Sequence, residues 1–211
     1  MNQQRPTTVA SLLARVREAV RAQPSSSHEP DSAQIARRVP MDSTDLANLF
    51  TARAQSVGMR VTRIRDDQLH DTLITLTASR GKTVIAIRDR ALAARVTSAV
   101  PDAVTNNNAD ILFDCAIGIT DVDCAISESG SLVISTTDRI RNAWITPPTH
   151  VAIVRESQLL PDLVDLFTQR PDVIDAASTT IITGPSKTAD IEGVLVTGVH
   201  GPALVEIVLV G

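Results

Sequence analysis

Aromatic side chains are scarce in this sequence: they make up 2% of its 211 residues, with one tryptophan and no tyrosine. Proteins that hold single-stranded nucleic acid stack its bases on aromatic rings, so this composition excludes such a platform. The formal net charge of −4 at pH 7 gives no general affinity for a phosphate backbone or an anionic lipid surface. We therefore expect no nucleic-acid partner, and any anion site must be local.

Cysteines and long apolar runs are also few. Cys115 and Cys124 lack CxxC spacing, and two cysteines are too few for an iron–sulfur cluster held by this chain alone. We predict two buried free thiols in a reducing compartment, and the cofactor stays unknown. No apolar run approaches the roughly 18–20 residues of a membrane span. Arginines interrupt the first apolar segment, which is unlike a signal peptide, so the predicted location is cytoplasmic.

Three segments divide the chain. Residues 1–22 carry apolar side chains at helical spacing and predict an N-terminal amphipathic helix. Residues 23–42 are rich in proline and serine and predict a linker or mobile loop. Residues 43–211 alternate strand and helix patterns, which predicts an α/β domain with an open, mostly parallel sheet flanked by helices. The continuous apolar run "TVIAI" is typical of a strand covered on both faces.

The second half of this domain has a different pattern. The short strands "CAIS" and "SLVIS" are separated by "ESG", which predicts a short β-hairpin region rather than a crossover. The run "SQLLPDLVDLFTQ" predicts an amphipathic helix with Pro161 near its first turn. After the strand "TIITG", the run "KTADIEGVLV" predicts a short helix, and "ALVEIVLV" predicts the closing strand.

A candidate anion site follows the strand "TIITG", where Gly184 and Pro185 form a turn before the predicted helix. Ligands of doubly wound sheets bind beyond the carboxyl ends of strands, where helices begin. Free N–H groups, the hydroxyls of Ser186 and Thr188 and the ammonium of Lys187 suit a phosphate or carboxylate there. The glycine spacing is not that of a Walker A motif. An equal alternative is that the glycine and proline form the turn and a hydroxyl caps the helix.

Two histidines lie next to strands. His200 stands before Gly201 and the last strand in "TGVHGP", where glycine and proline fix the position of the imidazole. An imidazole is suited to proton transfer near neutral pH, although an isolated histidine is more often structural. His150 follows two prolines and, taken alone, is interpreted as a loop histidine. Neither has a neighbour at zinc spacing, so we expect no metal site.

Three carboxylates lie within eight residues in "GITDVDCAISESGSLVIS". Asp121 and Asp123 face the same side of a strand, or converge in a turn. Such carboxylates could bind a cation or share acid–base work, and the alternative is that they are solvated turn residues. Glu128 is predicted to be buried between "CAIS" and "SLVIS". Because an unpaired buried charge is costly, Glu128 is predicted to be functional.

The runs "GITDVDCAISESGSLVIS", "PPTHVAIV", "TGPSKTADIEGVLVTGVHGP" and "ALVEIVLV" together resemble the LUD-domain family, also described as a domain of unknown function. Within it they are similar to the lactate utilization protein C group. The match is close from Asp110 to Gly211, whereas only the order of elements agrees from Phe50 to Val100. The resemblance implies the fold group of CoA transferases, ribose-5-phosphate isomerase and glucosamine-6-phosphate deaminase.

The resemblance also implies a role in oxidising L-lactate to pyruvate beside two partner proteins that carry iron–sulfur ligands. Our leading hypothesis is an accessory subunit of this system that binds a small anionic metabolite. In it, Glu128 and His200 are the catalytic residues that handle a proton. The ligand-binding residues of the hypothesis are Asp121, Asp123, Ser129, Gly130, Ser131, His150, Gly184, Pro185, Ser186, Lys187, Thr188, Asp190 and Gly201.

Two other hypotheses remain open. The Glu128-Ser129-Gly130 turn resembles the turn around the catalytic glutamate of one CoA-transferase class. By that analogy the chain is a free-standing enzyme acting on a CoA thioester or sugar phosphate, with Glu128 as nucleophile. The third hypothesis is a structural assembly module whose motifs only shape turns. The decisive question is whether Glu128, Lys187 and His200 line one pocket, and we expect that they do.

Overall fold

The structure is a computed structural model of the 211-residue chain that describes residues 9–22, 42–78, 80–105, 108–188 and 196–211. Most of the predicted linker, and Asp190 of the predicted site, lie outside the described residues. The chain divides into two compact units, residues 1–40 and residues 41–211. The described part of the first unit is one helix. Among the described helices, none has the length and apolar character needed to cross a bilayer.

The described helices are α1 (Val9–Ala22), α2 (Ser43–Ser56), α3 (Leu69–Thr77), α4 (Arg90–Ala99), α5 (Ala109–Phe113), α6 (Leu163–Gln169) and α7 (Pro171–Ile174). The described strands are β1 (Arg60–Ile64), β2 (Thr83–Ala86), β3 (Ile117–Asp121), β4 (Cys124–Ile126), β5 (Ser131–Ser135), β6 (Thr149–Arg155), β7 (Leu159–Leu160), β8 (Thr179–Ile182), β9 (Lys187–Thr188), β10 (Val196–Thr197) and β11 (Leu204–Val210).

A five-stranded parallel sheet forms the centre of the second unit, in the order β1-β11-β6-β3-β2. Its inner strands are apolar at successive positions because both faces are covered. On β11, for example, Ile207 and Leu209 pack with α2 on one face, while Val208 and Val210 pack with α3 and α4 on the other. The predicted open, mostly parallel sheet flanked by helices is confirmed.

A smaller sheet, in the order β7-β4-β5-β8, packs on the same face as α2. Its strands β4 and β5 are antiparallel, with Cys124 opposite Val133 and Ile126 opposite Ser131. The predicted β-hairpin is therefore present. Both cysteines are buried free thiols, as predicted. Burial raises the pKa of the Cys124 thiol to about 11, which keeps it protonated and unreactive.

The prediction of a helix that begins at Lys187 is wrong, because the described residues at both ends of that segment form strands. Lys187 and Thr188 form β9, which pairs antiparallel with Val196 and Thr197 of β10. Residues 189–195 lie outside the described residues. The preceding Gly184 has a φ of 106°, a left-handed conformation that turns the chain out of β8 and into this ribbon. An anion site built on a helix start at Lys187 is therefore not formed.

The amphipathic helix predicted around Pro161 begins later than expected. Leu159 and Leu160 pair with Ala125 and Ile126 of β4 as β7. α6 then starts after Asp162, whose carboxylate accepts hydrogen bonds from the N–H groups of Val164 and Asp165 at 2.8 and 3.1 Å. The pairing of β7 uses backbone groups that a helix would need, so tertiary contacts override the local pattern.

Candidate functional site

A cleft of about 240 Å³ lies at the amino ends of β6 and β11. Trp144, Ile145 and Val205 give it apolar walls. Its polar groups come from three residues that the sequence singled out and from two threonines that it did not. These polar residues are His150, Thr180, Thr183, Ser186 and His200. The cleft can hold a small molecule that has both an apolar and a polar part.

The β9–β10 ribbon brings two sequence motifs together at this cleft. The Ser186 N–H donates to the Pro202 carbonyl at 2.9 Å, and the Gly198 N–H donates to the Ser186 carbonyl at 2.8 Å. Gly201 faces Ser186, because a Cβ built on Gly201 would lie 3.2 Å from the Ser186 Cβ. The "GPS" and "VHGP" runs, which are separated along the chain, therefore form one wall.

His150 is not a loop residue but the second residue of β6, and it is fully buried. Its Nε2 lies 2.9 Å from the Thr120 hydroxyl. Its Nδ1 is buried with no hydrogen-bond partner within the described residues, as is the Nε1 of Trp144. Burial lowers the pKa of His150 to about 4, so the imidazole is neutral near pH 7. Two neutral residues of the cleft wall thus have unused hydrogen-bonding capacity.

The neutral state of His150 predicts a pH dependence of stability. Between pH 6.5 and about 4, His150 is protonated in the unfolded chain but stays neutral in the folded chain. The free energy of unfolding should therefore fall with decreasing pH, with a slope of up to about 1.4 kcal/mol per pH unit from this group. We expect His150→Gln to remove that part of the slope in denaturant titrations at pH 5 and 6. His70→Gln, at an exposed position, should keep the wild-type slope, and equal slopes for all three proteins would contradict the assignment.

Glu128 was predicted to be buried, and this is wrong: it is exposed in the turn between β4 and β5. Its N–H donates to the Pro161 carbonyl at 3.0 Å, and Glu128 is not among the residues that line the cleft. A chain of hydroxyls nevertheless leads from this turn to the cleft wall. Ser129 Oγ lies 2.7 Å from Ser131 Oγ, which lies 2.7 Å from Thr183 Oγ1.

Lys187 is exposed and does not line the cleft. A Cβ built at Gly58 would lie 3.6 Å from Pro185 Cδ and 3.8 Å from Lys187 Nζ, which places both residues over the carboxyl end of α2. A cation there interacts favourably with the partial negative charge of the helix end. This gives Lys187 a structural role that the sequence did not suggest. Thr188 is half-buried on β9.

Asp121, the last residue of β3, and Asp123 lie at the opposite edge of the central sheet, at the carboxyl end of β3. Both contact the buried guanidinium of Arg139, at 2.7 Å from Nε to Asp121 and 2.9 Å from Nη1 to Asp123. Asp123 also pairs with Arg88 at 2.9 Å. The two carboxylates therefore converge, which was one of the two arrangements predicted from the sequence. The group on which they converge is an arginine side chain. Among the described residues no three His, Cys, Asp or Glu side chains are arranged to hold a metal ion.

The described members of the predicted site thus separate into four places, apart from Thr188 on β9. His150, Gly184, Ser186, His200 and Gly201 line the cleft, and Ser129 and Ser131 reach it through Thr183. The other described members lie at the Glu128 turn, over the end of α2, or at the far sheet edge. Sequence reasoning missed Trp144, Thr183 and Arg139. Only Arg139 had a usable signal, because two carboxylates next to a buried strand require a buried cation.

A family model and the curated relatives of this chain indicate the same protein family. A family model described as the LUD domain matches residues 47–210. A protein of an Exiguobacterium species named Lactate utilization protein C is 32% identical over 179 residues, which cover 79% of this chain and 78% of that protein. One of the same name from Bacillus subtilis is 39% identical over 104 residues, covering 44% of this chain and 42% of that protein.

A solved structure shows a similar fold. The crystal structure of a DUF162 family protein from Deinococcus radiodurans has a TM-score of 0.64 and 17% sequence identity to this chain. The match covers 82% of this chain and 100% of the other. At this identity the likeness concerns the arrangement of helices and strands, and it extends over most of the chain.

Proposed function

Since this chain belongs to the LUD-domain family, we propose that it is a component of a lactate-utilization system that binds a small organic acid in the cleft at the amino ends of β6 and β11. Support for the system comes from relatives named Lactate utilization protein C, of which one matches most of this chain. Support for the ligand comes from the composition of the cleft.

The observation that carries the proposal is the junction of the "GPS" and "VHGP" runs beside an apolar wall. A three-carbon hydroxy or oxo acid has a methyl group, a carboxylate and one further oxygen. Trp144, Ile145 and Val205 suit the methyl group, because burying it on apolar surface is favourable by about 0.8 kcal/mol. The hydroxyls of Thr183 and Ser186 can donate hydrogen bonds to the carboxylate.

Each histidine has a separate role in this proposal. His200 is exposed at the mouth of the cleft, where it can exchange a proton with the ligand and with solvent. His150 is neutral and buried, so it contributes a hydrogen bond without a charge. We propose that electron transfer is carried out by partner proteins that hold the iron–sulfur ligands. The chain itself acts as an accessory subunit.

Trp144 makes the ligand test direct, because it is the single tryptophan of the chain and lines the cleft. We expect L-lactate or pyruvate to change its fluorescence saturably. Ser186→Ala and His200→Ala should each weaken binding about tenfold, as expected for the loss of one hydrogen bond to a charged group. The matched control is His70→Ala, on the exposed face of α3, which should bind as the wild type does.

Failure has two distinguishable forms. If neither acid changes the fluorescence saturably, the ligand assignment is wrong, whereas equal binding by the wild type and both cleft variants would place the ligand elsewhere. The role in the system is tested separately, by growth on lactate after deletion of the gene and by co-purification of a cysteine-rich redox protein. Normal growth together with no such partner would remove the proposed role.

A further inference from the structure

A second cleft, of about 210 Å³, lies at the carboxyl ends of three neighbouring parallel strands. Arg88 follows β2, Asp121 ends β3 and Arg155 ends β6, and all three line this cleft. In open α/β sheets ligands bind outside the carboxyl ends of the strands. This cleft is at the edge of the sheet opposite to the one that contains His150, so it is separate from the proposed organic-acid site.

Every charged acceptor in this cleft is already engaged. Asp121 accepts hydrogen bonds from the backbone N–H groups of Arg88 and Asp89, at 3.2 Å, and from Arg139. Asp89 Oδ1 accepts the N–H groups of Ala91 and Leu92 at the start of α4, and its Oδ2 accepts Arg155 Nη1 at 3.0 Å. The hydrogen bonds from the start of α4 and from Arg155 lower the pKa of Asp89, so it stays ionised.

The donors in the cleft, in contrast, are in surplus. A guanidinium has five N–H donors. Arg88 uses its side chain for one contact, from Nη2 to Asp123 at 2.9 Å, and Arg155 uses its side chain for one, to Asp89. Within the described residues the remaining side-chain N–H groups of Arg88 and Arg155 have no protein partner. Their side chains are 36% and 42% exposed, so these donors are accessible to a ligand.

We propose that this second cleft binds the phosphate group of a small metabolite between Arg88 and Arg155. A guanidinium presents parallel N–H donors that match two oxygens of a phosphate, and two of them can engage a tetrahedral group from both sides. The carboxylates of Asp89 and Asp121 lie in the same lining. Asp89 holds the Arg155 guanidinium, and Asp121 holds the backbone of Arg88, so the oxygens of both carboxylates are engaged within the protein.

The test uses inorganic phosphate as the probe and the full chain. In ¹H–¹⁵N spectra of the arginine side chains, phosphate should shift the Nε–Hε signals of Arg88 and Arg155 saturably, at an ionic strength matched with chloride. Arg95 gives the matched control, since it is 42% exposed and paired with Asp66 at 2.8 Å but does not line the cleft. Its signal should not move, and Arg95→Gln should bind phosphate as the wild type does.

Arg88→Gln and Arg155→Gln should each weaken phosphate binding about tenfold or more. Arg155→Lys keeps the charge beside Asp89 and should fold normally while losing the two-oxygen contact, so it should also bind more weakly. Shifts caused equally by chloride, or unchanged affinity in the arginine variants, would overturn the proposal. If L-lactate shifts the same two signals with a higher affinity than phosphate does, the cleft is a carboxylate site and the phosphate assignment is wrong. Trp144 fluorescence should not respond to phosphate, which keeps this outcome separate from that of the organic-acid cleft.

Discussion

Arg139→Leu is expected to lower the free energy of unfolding by about 3–5 kcal/mol, which is a large part of the stability of a typical domain. The Arg139 side chain is fully buried, and it contacts the buried carboxylates of Asp121 and Asp123. Leucine would fill part of the space but would leave Asp121 without its side-chain cation. Removing one partner of a buried ion pair leaves an uncompensated buried charge, and this is the origin of the large effect.

Urea or guanidinium unfolding at pH 7 measures this change. Arg141→Leu is the matched control, because Arg141 is exposed two residues further along the chain. A surface substitution of this kind should alter the free energy of unfolding by less than about 0.5 kcal/mol. If the two variants lose similar amounts, the ion cluster does not stabilise the domain as described.

Gly118→Ala is expected to destabilise the domain by more than about 3 kcal/mol, beyond the usual range for overpacking. Gly118 lies in β3, and a Cβ built there would be 1.7 Å from the Ala143 carbonyl oxygen. That carbonyl belongs to the short 3-10 helix Arg141–Trp144, which carries Trp144 into the cleft wall. The added methyl group would meet backbone, so the helical turn or the central strand has to move.

Gly201→Ala provides the matched control for this substitution. Neither glycine has a positive φ, and a Cβ at Gly201 would meet nothing closer than 3.2 Å. The control should therefore cost less than about 1 kcal/mol in the same unfolding experiment. A folded Gly118→Ala protein with near-wild-type stability and unchanged Trp144 fluorescence would show that the close approach is not required.

The central sheet and the β4–β5 hairpin could be predicted because their signals are local. Continuous apolar runs, turn residues and helix caps are all read from neighbouring residues. The β9–β10 ribbon could not be predicted in this way, because the local pattern of "KTADIEGVLV" favours a short helix, whereas the ribbon depends on the pairing of Lys187 with Thr197 further along the chain. Glu128 was misplaced for a related reason: two buried flanking strands do not bury the turn that joins them.

The sequence contained evidence that His150 and Asp121 lie at opposite edges of the central sheet, and sequence reasoning did not use it. His150 lies near the start of its strand and Asp121 at the end of its strand. Neighbouring parallel strands keep their amino ends together, and here Ile117 is opposite Thr149. Once a parallel sheet is predicted, position within each strand is enough to place these two side chains on opposite edges.

The last turn of α2 supports two segments that are far apart in the sequence. A Cβ at Gly130 would lie 2.2 Å from the Ala54 backbone nitrogen, and one at Gly184 would lie 2.8 Å from the Val57 carbonyl oxygen. Both loops therefore contact the backbone at the carboxyl end of α2 directly, because neither glycine has a side chain that would separate its loop from the helix. The hairpin loop and the loop that leads into the ribbon are mechanically coupled: a displacement of α2 along its axis has to carry both loops with it.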